Sequence, residues 1–175
     1  GTAGFLVESG EYLRTRKKEE IFYDKEKKEH FMNRMFYGYD MDRTMLRIGA
    51  MNMMLHGVEN PCITYQDSLS GDNTERDIYT LIMANPPFNV DEVVYEKVKD
   101  DPRFNEYGIP KNKSKSSKKN SDKKETIPNA NYLWISYFAT ALNENGRAGL
   151  VMANSASDAG NSEYDIRKNL IESGM

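Results

Sequence analysis

The tetrapeptide Asn85-Pro86-Pro87-Phe88 constrains this chain more than any other feature. It follows the apolar run Ile78-Tyr79-Thr80-Leu81-Ile82-Met83-Ala84, which reads as a buried strand. Consecutive prolines cannot continue a sheet ladder, so the strand must end there. A residue before a proline is pushed into extended geometry, and both Asn85 and Pro86 hold that position. The result is a stiff, extended loop at the carboxyl end of a strand. In open α/β sheets that end is where ligands bind.

The groups on this loop suit one task, holding an exocyclic amine of a nucleobase for methylation. Such an amine is a poor nucleophile because its lone pair is delocalised into the ring. The Asn85 side-chain oxygen and the Pro86 carbonyl are two acceptors for its two N–H bonds. Accepting both pulls the nitrogen toward tetrahedral geometry and localises the lone pair. Phe88 offers an aromatic face for stacking. The bland alternative is a Pro-Pro turn that ends any strand, followed by a buried Phe. A short motif decides nothing without its context.

The context begins with composition. The chain has 175 residues, within the range of one domain, and a net charge of -3. No overall basic field draws it to nucleic acid, so any affinity for DNA must come from a local patch or from partners. The single cysteine, Cys62, excludes an internal disulfide framework and fits a reducing cytosol, which places the protein in the cytoplasm. No apolar run is long enough to span a membrane. The start, Gly1-Thr2-Ala3-Gly4-Phe5-Leu6, has no signal-peptide pattern and no initiator methionine, so the chain is expected to be an internal piece of a larger protein.

Along the chain, Gly1 to Leu13 reads as a glycine loop entering a helix. Arg14 to His30 is dense in both charges and reads as a solvated helix or a mobile insertion. A strand is expected from Met35 to Tyr39, ending at Asp40. A helix from Asp42 to about His56 should bury Met45, Ile48, Met51 and Leu55 and stop at Gly57. Pro61 to Tyr65 is a short strand entering Asp67-Ser68-Leu69. Asp91 to Lys99 reads as a helix. Lys111 to Lys124 is rich in Lys and Ser without an apolar residue, which predicts a disordered segment or a flap touching DNA phosphates, against the alternative of a solvated insertion. A strong helix, Asn131 to Asn143, carries Leu133, Trp134, Tyr137 and Phe138, with Trp134 and Tyr132 read as core. After a turn at Asn145-Gly146 come a strand, Ala148 to Ala153, and a helix, Tyr164 to Glu172. Strands alternating with helices imply parallel βαβ units in a layered α/β sheet. With one cysteine and two scattered histidines no metal site is expected. His56 reads as a partner of a last-turn carbonyl, not as a base.

Four elements stand in order: the glycine loop, Asp40 after a strand, Asp67 after the next strand, and Asn85-Pro86-Pro87-Phe88. This order resembles the S-adenosylmethionine-dependent DNA adenine-N6 methyltransferases, and more narrowly the modification (methylation) subunit of type I restriction-modification systems. The helix end Met51-Asn52-Met53-Met54-Leu55-His56-Gly57, the strand Gly146-Arg147-Ala148-Gly149-Leu150-Val151 and the segment Glu163-Tyr164-Asp165-Ile166-Arg167-Lys168 also match. The resemblance covers most of the chain, with residues 14–33 and 111–125 standing as charged insertions in one partial catalytic domain, 1–175.

The resemblance implies an α/β fold of the Rossmann-like methyltransferase type, a three-layer sandwich with a mostly parallel sheet, incomplete in this stretch. It implies S-adenosylmethionine as the cofactor, held by Gly1, Thr2, Ala3 and Gly4, by Asp40 and Met41, and by Asp67 and Ser68. Gly1 and Gly4 would permit close backbone approach to the methionine part. Asp40 would accept from the ribose hydroxyls, Met41 would pack on the adenine ring, and Asp67 would accept from the cofactor's adenine amine. Asn85, Pro86, Pro87 and Phe88 take the catalytic positions. The implied partners are double-stranded DNA and a DNA-specificity subunit, with a restriction subunit and a second methylation subunit left open. There are departures. The family's acidic residue before the glycine loop, its first strand and the upstream aromatic segment that closes over the cofactor lie outside this chain, and Ala3 stands where many relatives carry glycine. Similar Asn-Pro-Pro motifs serve methyltransferases of RNA or of protein glutamine, and a non-catalytic scaffold of the same fold is a further alternative.

Overall fold

The computed structural model describes residues 1–88, 90, 93–111, 125–158 and 160–175. The chain divides into two compact units, Gly1–Ser68 and Leu69–Met175.

The first unit contains helices α1 (Gly4–Arg16), α2 (Lys18–Phe22) and α3 (Lys25–Asn33), strand β1 (Tyr37–Asp40), helix α4 (Arg43–Leu55) and strand β2 (Cys62–Tyr65). β1 and β2 pair in parallel, with Asp40 opposite Tyr65. A parallel pair needs a crossover, and α4 supplies it. The core is Val7, Ile21, Phe31, Phe36, Met53 and Val58.

The charged stretch after Arg14 folds into α2 and α3, and it is packed. Phe31 is fully buried and meets Phe22 and Phe36 edge-on, each at 5.2 Å between ring centroids. Asp24 caps α3, its Oδ1 accepting from Glu26 N at 2.9 Å and Lys27 N at 3.0 Å. The charges stay in water while Ile21 and Phe31 reach the core. Charge density thus concealed two anchors.

α4 begins and ends as expected. The Asp42 side chain accepts from Thr44 N at 2.7 Å, and the helix stops at Gly57, whose φ is 79°. A Cβ at Gly57 would lie inside the Arg14 guanidinium, which donates to His56 O at 2.7 Å. The buried face differs from expectation. Ile48, Met51 and Leu55 are exposed by 40%, 61% and 81%, while Gly49 and Met53 are buried. A helix with apolar residues all round has no periodicity that selects a face. The close approach of Gly49 to the chain's first residues and the packing of Met53 into the core select it here.

The second unit contains strand β3 (Tyr79–Ala84), helices α5 (Pro102–Asn105) and α6 (Asn131–Ala141), strand β4 (Leu142–Leu150) and helix α7 (Asn161–Glu172). β3 and β4 are parallel, with Leu81 opposite Arg147 and Ala84 opposite Leu150. α6 is buried along most of its length and centres a core with Phe104, Ile127 and Ala130.

Three sequence expectations change here. Residues 91 and 92 lie outside the described residues, and between 93 and 99 there is a single 3-10 turn, Tyr95–Lys97. Val94 instead pairs antiparallel with Thr126, and Ile127 N donates to Val93 O at 3.0 Å. β-branched residues with a partner backbone alongside favour that pairing over a helix. β4 starts directly after α6, and the expected Asn145-Gly146 turn is an irregularity inside it, where the register shifts between Tyr79 and Leu81. α5 went unforeseen, although Asp101 before Pro102 is a helix-start signature; Asp101 Oδ1 accepts from Arg103 N at 2.9 Å. Most of the lysine-rich segment, 112–124, lies outside the described residues.

Candidate functional site

In the first unit the candidate residues gather where the parallel strands end. Asp40 is the last residue of β1, and Asp67 follows the end of β2 by two positions. Gln66 N donates to Asp40 O at 3.3 Å, which carries the pairing one step further. Asp40 Oδ1 accepts from Asp42 N at 2.8 Å, and Oδ2 accepts from the Gly1 nitrogen. The glycine loop and Asp40 are therefore in contact. Asp42, not Asp40, caps α4, accepting from Thr44 N and Met45 N. Met41 is exposed by 56% beside it. Asp67 is exposed and Ser68 half-buried, and both make contacts of their own.

The loop has a defined shape. Ala3 occupies the left-handed region at φ 61°, which explains why glycine suits this position. α1 starts immediately after, with no side chain capping it. The positive end of the helix dipole lies at this uncapped turn. Two residues of α4 hold the loop, and sequence reasoning missed both. Asn52 Nδ2 donates to Thr2 O at 2.9 Å, and a Cβ on Gly49 would meet Gly1 O at 3.2 Å. A glycine inside a helix, costing about 1 kcal/mol against alanine, was the available signal.

His56 Nδ1 lies 2.8 Å from Asn52 O, within the last turn of α4, as its sequence position implied. Among the described residues, no group of His, Cys, Asp and Glu is placed to hold a metal, and no helix is long and apolar enough to cross a membrane.

In the second unit Asn85-Pro86-Pro87-Phe88 follows β3 directly. Pro86 is buried and anchors the loop, while Asn85 and Pro87 are exposed. Phe88 is exposed by 48%, so it is not the buried Phe of an ordinary strand-ending turn. Val151 N donates to Ala84 O at 2.9 Å, fixing the last strand residue before the loop. Below the loop, burial pushes the Tyr137 hydroxyl up to about 12, and it donates to Glu75 Oε2 at 3.2 Å. Arg103, 2% exposed, pairs with Asp101 at 2.6 Å and donates to Ser70 O at 2.7 Å. These polar groups brace the amino end of β3, away from the candidate loop.

Acidic and amide groups at the carboxyl ends of parallel strands, with a glycine loop opening a helix, define a Rossmann-like methyltransferase fold. The crystal structure of the type I restriction enzyme EcoKI M protein has the same fold, with a TM-score of 0.66 over 95% of this chain and 31% of that one, at 21% identity. A structure describing complex assembly and conformational transition of the type I R-M system gives 0.69 over 97% of this chain and 30% of that one, at 20% identity.

The chain belongs to the N-6 DNA methylase family, whose model matches residues 1–175. It is 37% identical over 143 residues to the type I restriction enzyme MjaIX methylase subunit of Methanocaldococcus jannaschii, covering 79% of this chain and 23% of that protein. It is 28% identical over 177 residues to the HindI methylase subunit of Haemophilus influenzae, covering 100% of this chain and 34% of that protein. The matched stretch thus spans 23% and 34% of the length of these two relatives.

Proposed function

We propose that the full-length protein transfers the methyl group of S-adenosylmethionine to the N6 amine of an adenine flipped out of double-stranded DNA, as the catalytic subunit of a type I restriction-modification system. The observation that carries this reading is the loop after β3, where Asn85 and Phe88 are exposed and the buried Pro86 holds the backbone between them. Membership of the N-6 DNA methylase family and the methylase-subunit relatives support it.

The residues of the first unit fit the cofactor. The uncapped first turn of α1 suits a carboxylate such as that of the methionine part. The Asp40 carboxylate, with side-chain exposure of 23%, has lone pairs left for ribose hydroxyls beyond its bonds to Gly1 and Asp42. When bound, S-adenosylmethionine supplies an electrophilic methyl group on a sulfonium.

The loop residues act on the target. Asn85 Oδ1 and the Pro86 carbonyl each accept one N–H of the adenine amine, and the localised lone pair points away from them. Phe88 stacks on the base. Extrusion costs a few kcal/mol and aromatic stacking returns about 1–3 kcal/mol, so the two terms are comparable. No general base is required before transfer, because the amine proton is lost after the nitrogen has become cationic. A DNA-specificity subunit would supply the sequence reading, since the loop contacts only the extruded base.

Labelled methyl transfer by the full-length protein to DNA, RNA and protein tests the reading. Label in DNA as N6-methyladenine is the expected result. Label in RNA or protein alone, or in none of the three, would overturn it.

A further inference from the structure

The parallel pairing of β3 with β4 sets two loops side by side. Ala84 lies opposite Leu150, and Val151 N donates to Ala84 O at 2.9 Å, so the chain leaves both strands at one level. One loop is Asn85-Pro86-Pro87-Phe88. The other runs through 151–157 and contains the 3-10 turn Asn154–Ala156. Adjacent strands are about 4.8 Å apart, so the two loops begin within reach of a single base.

This second loop is exposed at Asn154, Ser155 and Ser157, yet it is held from beneath by two helices. Tyr132 OH donates to Ala156 O at 2.8 Å, Asn131 Nδ2 donates to Ser155 Oγ at 3.4 Å, and Arg167 Nη1 donates to Ser157 O at 2.5 Å. Tyr132 and Asn131 are 2% and 1% exposed. Burial raises the Tyr132 pKa, so its hydroxyl stays a donor. The start of α6 also grips the exit of the first loop, with Ala130 N donating to Val90 O at 2.8 Å. Buried polar groups are costly unless bonded, and these are bonded to the underside of a solvent-facing turn. Exposed side chains over a backbone fixed in this way form a preorganised recognition surface.

We propose that the turn Asn154–Ala156 is the second wall of the pocket for the target base, and that the Asn154 amide contacts the base edge. The inference rests on the reading of Asn85-Pro86-Pro87-Phe88 as the loop that binds the target amine. The Asn154 side chain is exposed and makes no hydrogen bond among the described residues. Asn85 and Pro86 take both amine hydrogens, so the Asn154 amide meets the base through its Nδ2, which can donate to the N1 ring nitrogen on the edge that a flipped adenine presents. Guanine carries N1–H at that place, a donor facing a donor, and is refused. Tyr132 acts as a positioning residue through the Ala156 carbonyl.

The test uses the full-length protein in its native assembly and duplex DNA carrying a site that it methylates. Single-turnover methyl transfer gives a rate and an amplitude, the amplitude counting folded, competent enzyme. Asn154→Ala should lower the rate roughly two- to tenfold, the range for losing one hydrogen bond, with amplitude and cofactor affinity unchanged. Tyr132→Phe, which keeps the ring, should lower the rate by a smaller factor at full amplitude. A wild-type rate in Asn154→Ala, or losses confined to amplitude in both variants, would overturn the proposal. Asn85→Ala is the control. If it abolishes transfer while Asn154→Ala is unaffected, the wall fails and the target-amine reading stands. If the wild type methylates no DNA, both fail together.

Discussion

The Asn52 side-chain amide donates to the Thr2 carbonyl across 2.9 Å, joining the last turn of α4 to the loop that opens α1. Gly49, one turn earlier on the same helix, lets that loop lie against it. α4 therefore does more than cross between β1 and β2. It carries the platform on which the candidate cofactor loop rests.

Gly49→Ala should separate stability from binding. The added methyl gains about 0.8–1.0 kcal/mol of helix propensity. It also meets Gly1 O at 3.2 Å, so the loop must move by a few tenths of an ångström. Melting temperature should hold or rise while S-adenosylmethionine affinity falls. Asn52→Ala should lower both, with about 0.5–1.5 kcal/mol lost from stability. Calorimetry beside thermal melts of the full-length protein distinguishes the two patterns, and wild-type affinity in both variants would free the loop from α4.

Asp40→Ala should weaken S-adenosylmethionine binding by roughly 1.5–3 kcal/mol, the range for hydrogen bonds to a charged group. Helix α4 should keep its start, because Asp42 and not Asp40 caps it. Isothermal titration is the measurement. An unchanged affinity would leave Asp40 with only its bonds to Asp42 and Gly1.

Asn85→Ala removes one of the two acceptors for the target amine. Turnover should fall by orders of magnitude while cofactor affinity stays at the wild-type value, since the cofactor candidates lie in the first unit. Transfer of labelled methyl at the wild-type rate would remove Asn85 from the chemistry.

Phe31→Ala tests whether the charged stretch belongs to the fold. Truncating a fully buried phenylalanine costs about 3–5 kcal/mol. Denaturant unfolding of the full-length protein should show a loss of that order. A loss under about 0.5 kcal/mol, the level of an ordinary surface substitution, would mean that the segment carrying α2 and α3 is a solvated appendage.

Much of this protein was legible from local chemistry. Pro86 and Pro87 end a strand wherever they stand, Asp42 and Gly57 bound a helix by their own hydrogen bonds and backbone freedom, and the alternation of strands and helices yields parallel pairs. These choices depend on residues within a few positions of one another. The ordered placement of Asp40, Asp67 and Asn85 at strand ends followed from them.

What tertiary structure decided was which surfaces are covered. The apolar residues of α4 point several ways; the loop at Gly1 and Ala3 covers Gly49, the core around Phe31 and Val58 covers Met53, and Met51 and Leu55 are left exposed. The charges around Phe31 mark a solvated helix until Phe22 and Phe36 close over its ring. Tyr132 reads as a core position of α6, yet its hydroxyl reaches a turn more than twenty residues away, and the Asn131 amide beside it reaches the same turn. Burial and long-range hydrogen bonds are relations between distant segments, and no local pattern encodes which partner arrives.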